Sequence, residues 1–273
     1  MLLLIITVLA LLGAVGAFFG GGILSGILAF IGGWIGWLIL AALVLLIAVA
    51  LVDKDKEEEN DSKFYRTLTH LWIEFVIAVG RVKVICKGAE KLPKDGRFLL
   101  VCNHQADIDP ALLMHCFPKS QLSFIGKKET KDMPIIGAMM HKLLCQYINR
   151  ENDREALKTI LRCIQIVKED KASIGVFPEG YVSLDGKLRH FRGGVFKIAQ
   201  KAKVPILVCS LQDTHKVIPN LLKLKRSTVK VHFLEVLTPE WMEGKTTVEI
   251  ADRVYGTIAA DLGPENCYPE ENT

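Results

Sequence analysis

The chain has 273 residues, half of them hydrophobic, with 34 basic against 30 acidic side chains for a net charge of +4. That length holds one sizeable domain plus an appendage. Seven scattered cysteines without a CxxC pair exclude a zinc ribbon and argue against a secreted disulfide framework, so reduced thiols facing the cytosol are expected.

Residues 1–52 contain no Lys, Arg, Asp or Glu, too long an apolar run for a soluble core element. The run lacks the positive start and short apolar centre of a cleaved signal peptide, and it is read as a retained membrane anchor. One span takes about 20 residues. Gly20-Gly21-Gly22 offers a break, so a transmembrane hairpin is expected with arms near 2–19 and 30–52. Gly16/Gly20, Gly22/Gly26 and Gly32/Gly36 have the spacing that lets helix backbones approach in lipid, although glycine is also simply common in membrane helices.

The acidic linker DKDKEEEND (53–61) carries two Lys against six acids, which leaves 32 basic against 24 acidic residues, net +8, on 62–273. A basic domain beside a bilayer suits anionic lipid surfaces or phosphorylated substrates. Nucleic acid fits the sign but finds no RNA- or DNA-binding motif. Lys54, Lys56, Lys63 and Arg66 follow the last span, which predicts a cytoplasmic domain. Residues 62–80 place Phe64, Leu68, Leu71, Trp72, Phe75 and Val79 at helical spacing. This predicts an interfacial helix, with packing on the domain as the alternative.

From 81 to 264 the pattern alternates between strand and helix, predicting an α/β domain with a largely buried sheet. Strands are expected at 81–87, 97–102, 121–125, 144–148, 173–177, 205–211 and 228–236, and helices near 109–117, 134–142, 153–168, 192–202 and 247–262. Asn152 with Glu155, and Thr246 with Glu249, look like helix-start capping boxes. The tail 265–273 is polar and expected to fray.

Chemistry concentrates just past strand ends. After the run RFLLVCN, the stretch VCNHQADID (101–109) sets His104 five positions before Asp109. A carboxylate that accepts from one ring nitrogen of a His fixes its tautomer and stabilises the imidazolium formed when the other takes a proton. The plain alternative is a strand followed by an Asx turn. GVFPEGYVS (175–183) repeats that layout, with Glu179 expected at an exposed corner and Gly180 at a sharp turn. Lys127, Lys128 and Arg150 follow two further strands and suit phosphate. GxSxG, GxxxxGK[ST], HExxH and GxGxxG motifs are absent. His104, Asp107, Asp109 and His115 can be drawn as a metal cluster, but no second carboxylate–His group supports one, and no metal is expected.

These blocks in this order resemble the glycerolipid acyltransferase family, closest to the 1-acylglycerol-3-phosphate acyltransferases. The resemblance covers roughly 95–215: NHQADID, then GKKETKDMPIIG running to YINR, then FPEG, then KVPILVCS, with HFRGGVFKIA lying between the last two. It implies a mixed sheet flanked by helices behind the membrane hairpin. It also implies His104 as general base and Asp109 as its orienting partner. Asn103, Lys128, Arg150, Glu179 and Gly180 would bind the acyl acceptor, and Val204 and Pro205 would lie on the acyl-chain side. The co-substrate would be acyl-CoA or an acyl carrier protein thioester, with no tightly bound cofactor; the acceptor would be a lysophospholipid, used at the bilayer. Two positions depart from the family pattern. Tyr181 and Val182 stand where its third block continues Thr-Arg, and Asn149 precedes Arg150 where the second usually ends Asp-Arg. Another glycerolipid acceptor, an inactive lipid-binding relative and a hydrolase are the competing readings.

Overall fold

The structure is a computed structural model that describes residues 1–93, 95–149 and 151–268. Helix α1 (Leu2–Ala50) is interrupted at Gly22, whose φ of 82° and ψ of −167° are open to glycine but strained for other residues. The chain folds back there. Trp34 Nε1 donates to Thr7 Oγ1 at 3.3 Å, although the two are 27 residues apart. Of the glycines expected to let the arms approach, Gly26 does so: a Cβ there would lie 3.3 Å from the Ala14 carbonyl oxygen. Gly33, outside the spaced pairs, does the same against Ala10, whereas Gly16, Gly20, Gly32 and Gly36 face open space. The apolar helix is long enough to cross a membrane.

Residues 53–61 are tied to the domain, because its basic side chains neutralise their carboxylates. Glu57 pairs with Arg162 at 2.9 Å, Glu58 with Lys142, and Asp61 with Arg66 at 2.6 Å. Helix α2 (Lys63–Val79) buries Leu68, Ile73 and Ile77 against the domain and leaves Phe64, Val76 and Val79 exposed.

Among the described residues, seven strands form one sheet: β1 (Val82–Lys87), β2 (Leu99–Cys102), β3 (Leu122–Lys127), β4 (Gln146–Ile148), β5 (Ser173–Val176), β6 (Ile206–Gln212) and β7 (Ser227–Leu237), in the order β1-β7-β6-β2-β5-β3-β4. Every neighbouring pair is parallel except β6 with β7. The fold is thus the α/β domain that the alternating pattern predicted, with the mixed sheet flanked by helices that the resemblance implied. Leu99, Leu100, Val101 and Cys102 of central β2 are fully buried, as expected of a strand covered on both faces.

The helices are α3 (Asp109–Cys116), α4 (Pro134–Lys142), α5 (Asp153–Lys168), α6 (Lys197–Ala202), α7 (Val217–Leu222), α8 (Pro239–Met242) and α9 (Thr247–Leu262). Neither α7 nor α8 was expected; four to six residues are too few to show a helical period. Thr246 and Glu249 form the reciprocal cap of α9. Asn152 caps α5, but the Glu155 carboxylate turns instead to Asn149 Nδ2 at 2.8 Å. One core layer, under α5, α6 and α9, includes Val101, Ile174, Phe196 and Val208; the other, under α2 and α3, includes Leu100, Leu113, Leu207 and Phe233.

Two expectations are corrected. Cys86 on β1 and Cys116 on α3 are joined as a disulfide, because α3 packs back across the sheet and brings together residues 30 apart in sequence; five other cysteines are free. The tail does not fray at its start, since Leu188 N donates to Asn266 O at 2.7 Å and Tyr268 N to Leu188 O at 3.0 Å. Residues 269–273 lie outside the described residues.

Candidate active site

Strands β2, β5, β3, β4 and β6 run parallel, so the loops after them emerge at one edge of the sheet. The loop after β2 leaves between neighbours β5 and β6, where the connections diverge and a crevice is expected. There His104 Nδ1 meets Asp109 Oδ2 at 2.9 Å. The same oxygen accepts from Gln105 N at 2.7 Å and Ala106 N at 2.9 Å. Asp109 is the first residue of α3 and fully buried; the helix N-terminus favours its negative charge. Its Oδ1 is buried without a partner among the described residues. The His104 ring stacks on Phe177, centroids 4.1 Å apart and planes 17° apart. Its Nε2 makes no hydrogen bond to a described residue. The tautomer with the proton on Nδ1 therefore leaves Nε2 as an open base.

The loop after β5 clamps the main chain of His104. Glu179 Oε1 accepts from His104 N at 2.6 Å, Oε2 accepts from Arg189 N at 2.9 Å, and Ser183 N donates to His104 O at 2.7 Å. Glu179 is only 3% exposed, which corrects the expected exposed corner, and each of its carboxyl oxygens accepts from a main-chain N–H. Its carboxylate is a strut between two loops. Burial pushes it up to about 8 against the pull of the two backbone N–H groups.

Asn103 is likewise turned inward. Its Nδ2 donates to Leu211 O at 2.9 Å and its Oδ1 accepts from Leu211 N at 2.7 Å, fastening the end of β2 to β6. Both polar groups of Asn103, expected at the acceptor, thus bond the main chain of β6. Gly180, at φ +78°, makes the turn as expected, with the Arg192 guanidinium packed over it. Lys128 follows β3 at the same edge, exposed and 3.6 Å from Glu155; Arg150 lies outside the described residues. Val204 and Pro205 are displaced from expectation. Pro205 precedes β6, and Leu99 N donates to its carbonyl, so it sits at the opposite edge, roughly 20 Å along the strands from His104 at about 3.3 Å per residue.

Three supporting residues carry no sequence signal of their own. Gln105 is buried, with Nε2 on Gly186 O at 2.8 Å and Oε1 accepting from Thr214 N at 3.2 Å, which ties three loops together. Phe177 stacks in turn against Phe124, and Gly175 makes room for that ring: a Cβ at 175 would lie 2.4 Å from Phe124 Cε1. Only the register Phe124↔Gly175 explains this glycine. The buried Cys102 thiol has its pKa driven up by desolvation, which makes it a poor nucleophile.

A family model described as Acyltransferase matches residues 83–212. Over 158 residues the chain is 33% identical to a chloroplastic 1-acyl-sn-glycerol-3-phosphate acyltransferase of Brassica napus, covering 58% of this chain and 45% of that protein. It is 31% identical over 180 residues to a probable 1-acyl-sn-glycerol-3-phosphate acyltransferase of Mycoplasma pneumoniae, covering 62% and 66%. The matches thus span about half to two thirds of those relatives' length. The crystal structure of the 1-acyl-sn-glycerophosphate acyltransferase of Thermotoga maritima shares the fold, with a TM-score of 0.60 at 21% identity over 85% of this chain and 91% of that one.

Proposed function

The chain carries an acyltransferase-family domain over residues 83–212, and on that premise we propose that it moves a fatty acyl group from an acyl thioester to the hydroxyl of a lysophospholipid. The acceptor is 1-acylglycerol 3-phosphate and the product phosphatidic acid, a step of phospholipid biosynthesis. One observation carries the chemistry: an imidazole fixed on Nδ1 by a buried carboxylate at 2.9 Å, with Nε2 left open. Nε2 takes the hydroxyl proton as the acceptor oxygen bonds to the thioester carbonyl carbon, and Asp109 stabilises the imidazolium. Collapse of the tetrahedral intermediate breaks the C–S bond, and the departing thiolate recovers the proton. General base catalysis supplies about 10²–10⁴-fold; placing two substrates together supplies much of the rest.

The donor is acyl-CoA or an acyl carrier protein, and the scheme uses no bound cofactor or metal. With Val182 where the family pattern has Arg, the acceptor phosphate is held by Lys128, Arg150 and the exposed Arg189 and Arg192. The hairpin at 1–52 anchors the chain in the bilayer, and the domain at 81–264 works on its cytoplasmic side.

The test is transfer by the full chain in proteoliposomes to 1-acylglycerol 3-phosphate, glycerol 3-phosphate and a lysophospholipid with a larger head group. The first is expected to be fastest, with His104→Ala inactive. Preference for the larger head group would reassign the acceptor. Failure on all three with both donors would overturn the proposal.

A further inference from the structure

Several exposed apolar side chains of the domain lie at the edge that bears His104. The most exposed follow β6. Leu222 and Leu224 are 80% and 82% exposed, with Ile218 and Leu221 beside them on and after α7. Met133 and Ile135 follow β3, and Leu184 follows β5. All three strands run parallel to β2 or to its neighbour β5, so these loops share one side. Helix α1 leaves the domain there too, since Lys54 Nζ donates to Lys131 O at 3.0 Å and to Met133 O at 3.4 Å.

Leu224 is stranger than mere exposure. Leu224 N donates to Leu221 O and Lys225 N to Asn220 O, the paired bonds that end a helix with a left-handed residue, usually glycine. Here that residue is a leucine at φ +55°. Its side chain gains no burial within the chain for the backbone strain it imposes, and strain of this kind is a pointer to function. The segment 213–226 holds Lys216, Lys223, Lys225 and Arg226 against one acid, Asp213. Lys216 pairs with that Asp at 2.6 Å; Lys223, Lys225 and Arg226 are exposed and have no carboxylate partner among the described residues.

We propose that residues 217–226 form a second membrane contact: the leucines enter the interfacial layer of an anionic bilayer and the cations meet its phosphates. The mixture of apolar and basic side chains fits that occupant, and continuity with the exit of α1 favours it over a protein partner. The contact holds the His104 edge against the surface from which a lipid substrate comes. It rests on reading α1 as a membrane anchor and not on acyl transfer.

A photo-reactive residue is placed at Leu222, at Leu28 on α1, or at Val248 in the full chain, in vesicles of equal phosphatidylcholine and phosphatidylglycerol. Val248 is exposed on α9, which packs on the face of the sheet opposite to the one that α7 covers. Lipid adducts are expected at 28 and 222 but not at 248. Replacing Lys223, Lys225 and Arg226 by Gln should lower the yield at 222 by about fivefold or more, as each basic group near an anionic surface is worth about 1 kcal/mol. Leu224→Gly relieves the backbone, so thermal stability should hold or rise while labelling at 222 falls. Labelling at 222 no better than at 248 while 28 labels strongly would overturn the proposal with the anchor intact. Cross-linking of 222 to a second protein chain, or a loss of stability in Leu224→Gly, would also overturn it. Absence of labelling at 28 would remove the anchor and this contact together.

Discussion

Two of the His–carboxylate pairs among the described residues join a strand of the sheet, or the loop after one, to a helix at nearly equal length. His104 Nδ1 lies 2.9 Å from Asp109 and His232 Nδ1 lies 2.7 Å from Asp261. Distance does not separate them, but their surroundings do. Asp109 is fully buried and receives two backbone N–H groups at a helix start, and the His104 ring is stacked on Phe177. Asp261 sits near the end of α9, its side chain 18% exposed, and is held by side chains: Ser210 Oγ donates to it, as does Gln212 Nε2 at 3.1 Å. One carboxylate is fixed by the main chain and aims a base at an open edge. The other fastens α9 to β6 and β7. A base preorganised by the backbone needs no rearrangement when charge develops on it, whereas a side-chain network is free to adjust.

The largest effect expected from this contrast is on turnover. His104→Ala and Asp109→Asn should each lower transfer from thioester to 1-acylglycerol 3-phosphate by about 10²–10⁴-fold, measured on folded, membrane-inserted protein. Wild-type rates in both would make the two pairs equivalent and end the contrast.

Glu179 comes next, as the strut beneath His104. Glu179→Gln sets an amide N–H against a backbone N–H and should lose about 1–3 kcal/mol of hydrogen bonding, read as a slower kcat with His104 still present. Its pH behaviour has a definite sign. The folded carboxyl is raised to about 8, so between the ordinary carboxylate range and that value the folded chain keeps a proton that the unfolded chain releases. Stability therefore falls as pH rises across the window and levels off above it. Denaturant titrations should show this slope in the wild type and its loss in Glu179→Gln; identical slopes would mean that the carboxyl is not raised.

Gly175→Ala should follow. The new Cβ would lie within 2.4–2.6 Å of Phe124 ring atoms, and overpacking of this kind costs about 1–3 kcal/mol. Phe124 supports Phe177, which supports His104, so thermal stability and kcat should fall together. If stability falls and kcat does not, the ring stack has no part in orienting the base.

The sequence made much of this legible. All seven strands lie within two residues of the segments the sequence marked, and the His104–Asp109 pair was marked by its place after an apolar run. What it hid depended on contacts distant in the chain. Glu179 read as a surface acid because the amides that bury it belong to residues 104 and 189. Asn103 read as a ligand residue because its partner, Leu211, lies 108 positions away. The Cys86–Cys116 disulfide was hidden for the same reason, since spacing alone does not show that α3 returns to β1.

The smallest expected effect is the sharpest test of the comparison. If proximity of His to carboxylate were enough to mark chemistry, His232→Ala would cost as much as His104→Ala. The geometry gives the opposite expectation, because Asp261 already has Ser210 and Gln212 when the imidazole is gone, and no backbone amide aims His232 anywhere. Transfer should stay within about threefold of wild type, while thermal stability falls by the roughly 0.5–1.5 kcal/mol of one hydrogen bond. Asp261→Asn should cost more, about 1–3 kcal/mol, because three donors then share a single carbonyl oxygen and α9 loses its fastening to the sheet. A loss of turnover in His232→Ala without a loss of stability would show that the second pair reaches the reacting groups, and that backbone anchoring is not what distinguishes a catalytic imidazole in this chain.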